Sequence, residues 1–314
     1  MRAVGITQFG GPEVLHVVEV PDPEAGPGEV RIRVRAAAVN PTDTQLRSGV
    51  RAERLKDVPP PYVPGMDVAG VLEQIGDGVV TDLQVGDRVM AIVLPLGLRG
   101  GYAERVVVPA ESVVRVPSGR TDAEAATLPM NGLTARLALD ELALGPGQTL
   151  VVTGAAGAVG GYVVQLGKAE GLRLVADASA ADERLVHELG ADIVVRRGED
   201  FAAQARAVVP GGVDGLVDAA LLDAGAVGAV RDSGRMATLR GYEGGTSEQR
   251  GITFLPVYVR NYARERDKLD RLRVQAEDGI VTLRVARTLP LEQAPEAHRL
   301  LESGGVRGRL VLEP

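Results

Sequence analysis

The residues best placed to do chemistry begin where the apolar run Leu150-Val151-Val152-Thr153 ends in Gly154-Ala155-Ala156-Gly157-Ala158-Val159-Gly160. Tyr162 to Lys168 then continue with helical spacing. Strand, glycine turn and helix in that order suit a dinucleotide pyrophosphate. Glycines let the backbone approach the phosphates, and the free N–H groups of the first helical turn bind the anion. The spacing is GxxGxxG rather than GxGxxG, so a plain tight strand–helix turn stays open beside the nucleotide reading. Asp177 lies 20 residues beyond Gly157, at the end of the next strand pattern and just before Ala178. A carboxylate there accepts from the adenosine ribose hydroxyl and repels a 2′-phosphate, which favours NADH. Its other reading is an N-cap of the following helix. Asp218 and Ala219 end a later strand, on the sheet edge where doubly wound folds bind ligands, and Gly241 and Tyr242 after the next strand share that edge.

Composition narrows the alternatives. The 314 residues contain no cysteine, which excludes disulfides, thiolate nucleophiles and cysteine-held metal. Only His16, His187 and His298 offer imidazoles, and their wide separation reads as surface or interface positions rather than a ligand set. No His/Asp/Glu cluster has metal-ligand spacing. The net charge of −7, without a Lys/Arg run, argues against nucleic acid as a partner. No stretch is long enough to span a bilayer, and Met1 to Ile6 run straight into strand pattern without a signal-peptide core, so the expected protein is soluble and cytoplasmic.

The elements that must position these residues fall into two textures. Residues 1 to about 120 read as short strands divided by Pro/Gly turns, at Arg2–Ile6, Val14–Val20, Glu29–Ala36, Val68–Ile75 and Arg88–Val93. Glu29 to Ala36 alternate apolar and charged residues, the period-two pattern of a half-buried strand. Such spacing suggests a partly closed barrel. From Thr121 helices appear, first at Asp122 and then about Gly132 to Leu142. Strands at 150–153, 173–176, 192–195, 215–218 and 235–239 then alternate with helices at 162–168, 180–189, 201–208 and 222–230. This is a βαβ series, hence a doubly wound parallel sheet of Rossmann type. A helix through Tyr262 to Asp278, a strand at Leu283–Arg287, a helix from Pro290 to Glu302 and a strand at Arg309–Leu312 close the chain.

Taken together, several segments resemble the zinc-free quinone oxidoreductase branch of the medium-chain dehydrogenase/reductases. They are Ala36-Ala37-Ala38-Val39-Asn40-Pro41-Thr42-Asp43, Pro64-Gly65-Met66-Asp67-Val68-Ala69-Gly70, Val85-Gly86-Asp87-Arg88-Val89 and Gly100-Gly101-Tyr102-Ala103-Glu104. The likeness continues through Leu128-Pro129-Met130-Asn131-Gly132-Leu133-Thr134-Ala135, the glycine loop, Ala297-His298-Arg299-Leu300-Leu301 and Gly308-Arg309-Leu310-Val311-Leu312. The resemblance implies a GroES-like substrate domain from residues 1–121 and 264–314, with a Rossmann dinucleotide-binding domain at 122–263. Zinc-binding relatives carry Cys near position 40 and His near 66, where this chain has Asn40 and Met66. Without that Lewis acid the implied reaction is hydride transfer from NADPH or NADH to a quinone or an enone, whose conjugated carbonyl already draws electron density.

The resemblance also proposes site residues. Asn40 is a candidate polar contact to the substrate carbonyl or nicotinamide, or else a cap of the turn before Pro41. Tyr62 is a candidate proton donor, with solvent as the simpler source. Asn131 and Thr134 are candidate cofactor contacts, or caps and packing of their helix, and Arg309 joins the cofactor set. Relatives that use NADPH often place Lys about five residues beyond position 177, where this chain has Asp182, with Arg184 as the nearest cation in sequence. The cofactor choice therefore stands open between Asp177, which favours NADH, and the family habit of NADPH. A second enzymatic reading, reduction of an enoyl thioester, would use a basic patch at Arg47, Arg51 and Arg54. A non-catalytic nucleotide-binding protein is the third. Family members pair as homodimers through a sheet edge, which Gly251 to Val259 could supply unless it is an interior strand.

Overall fold

The computed structural model describes residues 1–244 and 250–314. The chain opens with strands β1 (Arg2–Gly5), β2 (His16–Glu19) and β3 (Glu29–Ala38), helix α1 (Pro41–Arg47), and strands β4 (Asp67–Ile75), β5 (Arg88–Ile92), β6 (Arg105–Pro109) and β7 (Val113–Arg115). Helices α2 (Asp122–Ala125) and α3 (Pro129–Leu142) follow. The nucleotide-type segment comprises β8 (Thr149–Thr153), α4 (Ala158–Ala169), β9 (Arg173–Ala178), α5 (Glu183–Glu188), β10 (Ile193–Arg196), α6 (Phe201–Val208), β11 (Val213–Asp218), α7 (Ala224–Val227), β12 (Val230–Thr238) and β13 (Thr253–Pro256). The tail is α8 (Arg266–Glu277), β14 (Val285–Pro290), α9 (Ala294–Glu302) and β15 (Arg309–Glu313).

Two compact units result. Met1–Met130, Arg260–Gly279 and Leu283–Pro314 form the first, and Asn131–Val259 with Ile280–Thr282 the second. In the first, β3 is the spine of a seven-stranded sheet, pairing with β4, β6 and β15. Its alternating burial matches the apolar/charged alternation of Glu29 to Ala36. The tail strands join this sheet, with β14 parallel to β15 and β15 antiparallel to β3. In α2, Thr121 accepts from the Glu124 backbone N–H while the Glu124 carboxylate accepts from Thr121 N–H, a reciprocal cap that fixes the helix start.

The second unit holds six parallel strands in the order β10-β9-β8-β11-β12-β13. The order reverses between β8 and β11, the switch point where open parallel sheets take ligands at their carboxyl ends.

Three differences from the sequence expectations have local causes. A helix, α1, follows Asn40, where the sequence suggested only a turn. The helix expected over 222–230 shrinks to α7, because Leu221 and Asp223 have φ of 61° and 49°, which no helix accommodates. The helix expected from Ala180 starts at Glu183, behind Asp182, whose carboxylate accepts from Ser179 Oγ at 2.6 Å.

Candidate functional site

In the second unit the glycine loop is tight enough to admit nothing larger. Gly154 has φ of 66°, and Gly157 N–H donates to Gly154 O at 2.9 Å, closing the turn before α4. A Cβ on Gly160 would lie 2.3 Å from Gly154 O, so helix and loop touch backbone to backbone. Ala155 and Ala156 are buried in the turn, and Ala158 and Val159 open α4 with no acidic residue in its first turn. The free N–H groups there suit a pyrophosphate. The loop residues expected to cradle it therefore come together at the end of β8.

Asp218 stands beside them in a supporting role. Thr153 Oγ1 donates to its carboxylate at 2.6 Å, joining the ends of β8 and β11 across the switch point. The backbone N–H groups of Leu222 and Asp223 donate to it at 3.1 and 2.7 Å, and Ala220 N–H donates to Thr153 Oγ1 at 3.0 Å. The positive φ angles at Leu221 and Asp223 belong to this arrangement, which holds Ala219 against Gly154. Gly241, with φ of 81°, and Tyr242 follow β12 on the same edge, where Thr238 Oγ1 donates to Tyr242 O and Tyr242 meets Phe254 edge to face.

Asp177 is buried at the end of β9, with Ala178 as the last strand residue. One of its oxygens accepts from Ala155 N–H at 3.3 Å, and the other from Arg197 Nε at 2.8 Å. The sequence reading missed Arg197 because its nearness to Asp177 comes from the parallel pairing of β9 with β10, which sets Val195 beside Asp177. Arg184, the cation expected there, lies on the exposed side of α5 and pairs with Glu188 at 2.9 Å. Asn131 and Thr134 are buried on α3.

The first unit contains a buried polar chain. Asn40 is the N-cap of α1 and is fully buried. Its backbone N–H donates to Asp43 Oδ2 at 2.8 Å and its Nδ2 to Asp67 Oδ2 at 2.6 Å. Asp43 also accepts from Gly65 N–H at 3.0 Å and from Tyr102 Oη at 3.2 Å, while Asp67 accepts from Met130 N–H at 2.6 Å. Beyond Tyr102 the chain runs to His298 Nε2 at 3.2 Å, and His298 Nδ1 accepts from Arg47 at 3.3 Å. A guanidinium can only donate, so the imidazole proton sits on Nε2 and points to Tyr102. Arg47 in turn grips Glu302 at 2.6 Å.

Burial sets the protonation of this chain. It pushes the Asp43 carboxyl up to about 6 against the donors that hold its anion, and the Asp67 carboxyl up to about 7. Burial, helped by the Arg47 charge, pushes His298 down to about 3 and keeps it neutral. Arg309, buried at the start of β15, supplies positive charge to both carboxylates.

Three expectations are corrected here. His298 is wholly buried rather than at the surface, although His16 and His187 are exposed. Arg47 points inward to His298 and Glu302, so Arg47, Arg51 and Arg54 do not form an open basic patch. The Tyr62 hydroxyl donates to Val58 O at 2.9 Å while its ring stacks on Phe9, so it is engaged with its own loop.

Comparison with known proteins agrees with this geometry. Residues 26–118 match the alcohol dehydrogenase GroES-like domain, and residues 189–312 the zinc-binding dehydrogenase family. The chain is 30% identical to a probable quinone oxidoreductase of Schizosaccharomyces pombe, over 98% of this chain and 96% of that protein. It is likewise 30% identical to a 2-haloacrylate reductase of a Burkholderia species, over 100% of this chain and 99% of the other. The solved structure of mycobacterial Rv1454c complexed with NADPH superposes with a TM-score of 0.86 at 29% identity, covering all of both chains. A six-stranded parallel sheet with a glycine-loop cradle, a GroES-like unit and these full-length relatives lead to one assignment: the chain belongs to the quinone oxidoreductase branch of the medium-chain dehydrogenase/reductase superfamily.

Proposed function

We propose that this protein reduces a quinone or a carbonyl-activated C=C by hydride transfer, without a metal ion. The observation that carries the reading is the donor set in the first unit, in a chain whose relatives include a quinone oxidoreductase and a 2-haloacrylate reductase. Asn40 and Met66 occupy the places of the zinc ligands, and Asn40 Nδ2 is bonded to Asp67. Among the described residues no group of three His, Cys, Asp or Glu could hold a metal. The residues present do not fit the zinc ion that the family description carries.

Bound NADPH or NADH supplies the hydride, and the chain supplies placement. The Gly154–Gly160 loop and the N-terminus of α4 would hold the pyrophosphate, and Asp218 fixes the loop beside it. Asn131, Thr134, Gly241, Tyr242 and Arg309 are the further candidate contacts; Asn40, wholly buried with its amide on Asp67 and Ala38 O, serves as the cap of α1 rather than as a contact to the acceptor carbonyl. With Tyr62 bonded to Val58 O, solvent is the simpler proton source. The enoyl-thioester reading loses the basic patch it needs.

Arg197 moves the cofactor reading toward NADPH. Asp177 is neutralised by Arg197 Nε, and the Arg197 side chain is 41% exposed, leaving its terminal nitrogens open to a 2′-phosphate. Steady-state kinetics with a quinone and enone panel test both points. We expect higher kcat/KM with NADPH. Arg197→Ala should lower that value roughly tenfold to a hundredfold, the weight of a charge-assisted contact, and leave NADH unaffected. A wild-type preference for NADH would return Asp177 to the ribose. Tight cofactor binding with no turnover on any acceptor would favour the non-catalytic reading.

Assembly as a homodimer is supported by β13, which pairs only with β12 among the described residues and so leaves one edge of the parallel sheet open. Light scattering should give twice the chain mass. A monomeric mass refutes it.

A further inference from the structure

Asp223 is a half-buried carboxylate to which the fold gives no donor. It stands immediately before α7 without capping it, and its side chain accepts from no group among the described residues. Burial and the neighbouring Asp218 charge push its carboxyl up, and Arg240 favours its anion without forming an ion pair with it. The backbone that presents it is strained. Leu221 has φ of 61° and Asp223 has φ of 49° with ψ of −117°, where a residue other than glycine sits at a cost. Asp218 accepts from the N–H groups of both Leu222 and Asp223, so the turn is held in that shape.

Its surroundings say what would meet that carboxylate. The segment leaves β11 against the glycine loop, where a Cβ on Gly154 would stand 3.1 Å from Ala219 C and Ala220 N. It then enters α7, after which Gly228 lies on Ala202 in the first turn of α6, the helix that follows β10. Asp223 therefore faces the β9–β10 half of the sheet edge, which in a dinucleotide fold takes the adenosine. On that half Asp177 has both oxygens engaged, by Ala155 N–H and Arg197 Nε, whereas the Asp223 oxygens are open. Leu222 packs on the core of the sheet and Leu221 stays half-buried, an apolar side chain beside an open acceptor. A flat, largely apolar ring with an N–H donor on its rim matches that pair.

We propose that Asp223 reads the adenine of the cofactor: its carboxylate accepts from the 6-amino group, and Leu221 covers the ring. The proposal rests on the dinucleotide reading above and leaves the phosphates to the glycine loop and Arg197. A charged acceptor strengthens the bond to the amine. It also sets a selection. Hypoxanthine carries a carbonyl oxygen where adenine carries the amine, and would place acceptor against acceptor, which a site built for a donor rejects. Asp223 is thus a specificity residue for the base, as Arg197 is for the 2′-phosphate. The strain has the same explanation: a glycine would relax the turn but carry no acceptor.

Fluorescence titration of the whole protein with NADPH and with its hypoxanthine analogue, deamino-NADPH, reads this without turnover. We expect the wild type to bind the analogue at least about tenfold more weakly. Asp223→Asn should bind the two with nearly equal affinity, because its amide accepts from the amine through Oδ1 or donates to the carbonyl through Nδ2. Asp223→Gly should be at least as stable to heat as the wild type, since glycine adopts that φ freely, and still bind NADPH about tenfold more weakly. A residue with a merely structural role would move stability and affinity together. Equal affinity of the wild type for both dinucleotides overturns the proposal. So does an Asp223→Asn protein that still discriminates, or an Asp223→Gly protein that binds NADPH as the wild type does. If the wild type binds neither NADPH nor NADH, it is the dinucleotide reading that fails, and the proposal falls with it.

Discussion

Gly160→Ala should weaken NADPH binding at least about tenfold, equivalent to ~1.4 kcal/mol, and should do so with little change in the acceptor's own KM. The added Cβ would stand 2.3 Å from Gly154 O and 2.7 Å from Gly154 C, against backbone that cannot rotate away. Either α4 slides off the loop or the loop opens, and both move the N–H groups that would face the pyrophosphate. A methyl group is small, yet interiors pack densely and a clash with backbone has no rotamer to relieve it. Gly211→Ala is the control, because a Cβ there meets nothing within 4 Å. Cofactor titration by fluorescence separates the two variants. Equal affinity for both would show that the loop does not hold the dinucleotide.

Asp43→Ala should destabilise the first unit by at least about 3 kcal/mol, because it strips the acceptor from three buried donors at once. Asn40 N–H, Gly65 N–H and Tyr102 Oη all donate to this carboxylate. Burial works in the opposite direction, since it raises the carboxyl to about 6 and makes the anion itself costly. The donors should win: each orphaned group costs ~1–3 kcal/mol, and water cannot replace the acceptor inside this site. Asp43→Asn separates the two effects, since it removes the charge but keeps an acceptor oxygen, and it should cost far less. Hydrogen exchange at the Gly65 and Asn40 amides reports the loss locally, where a two-unit chain would blur a single unfolding midpoint. Asp43→Ala exchanging like the wild type would remove Asp43 from its place as the hub of the buried chain.

The two cases differ in how visible they were in the sequence. The cradle was legible because its parts are contiguous: an apolar strand, glycines at fixed spacing and a helical stretch, each governed by neighbours within a few residues. The buried chain was not. Asp43, Tyr102 and His298 sit in motifs that marked the family, but nothing local says that a histidine on α9 meets a tyrosine before β6. That meeting requires β15 to pair with β3, which carries the tail back into the first sheet. His298 was therefore expected at the surface, and Arg47 in a basic patch.

The nucleotide edge shows the same division. The alternation of strands and helices and the glycine turn follow from hydrophobic periodicity and the positive φ that Gly154 adopts freely, so the chain by itself determined a tight strand–turn–helix at Gly154–Gly160. Which dinucleotide it suits was left to tertiary structure. Asp177 and Arg197 are 20 positions apart, and only the parallel register of β9 and β10 turns a carboxylate that repels phosphate into half of an ion pair. Local sequence sets the backbone's path, because its forces act between near neighbours. The charge state of Asp67 and His298 depends on burial, and the ion pair of Asp177 on a partner brought from another strand, and both are decided only when the sheets have closed.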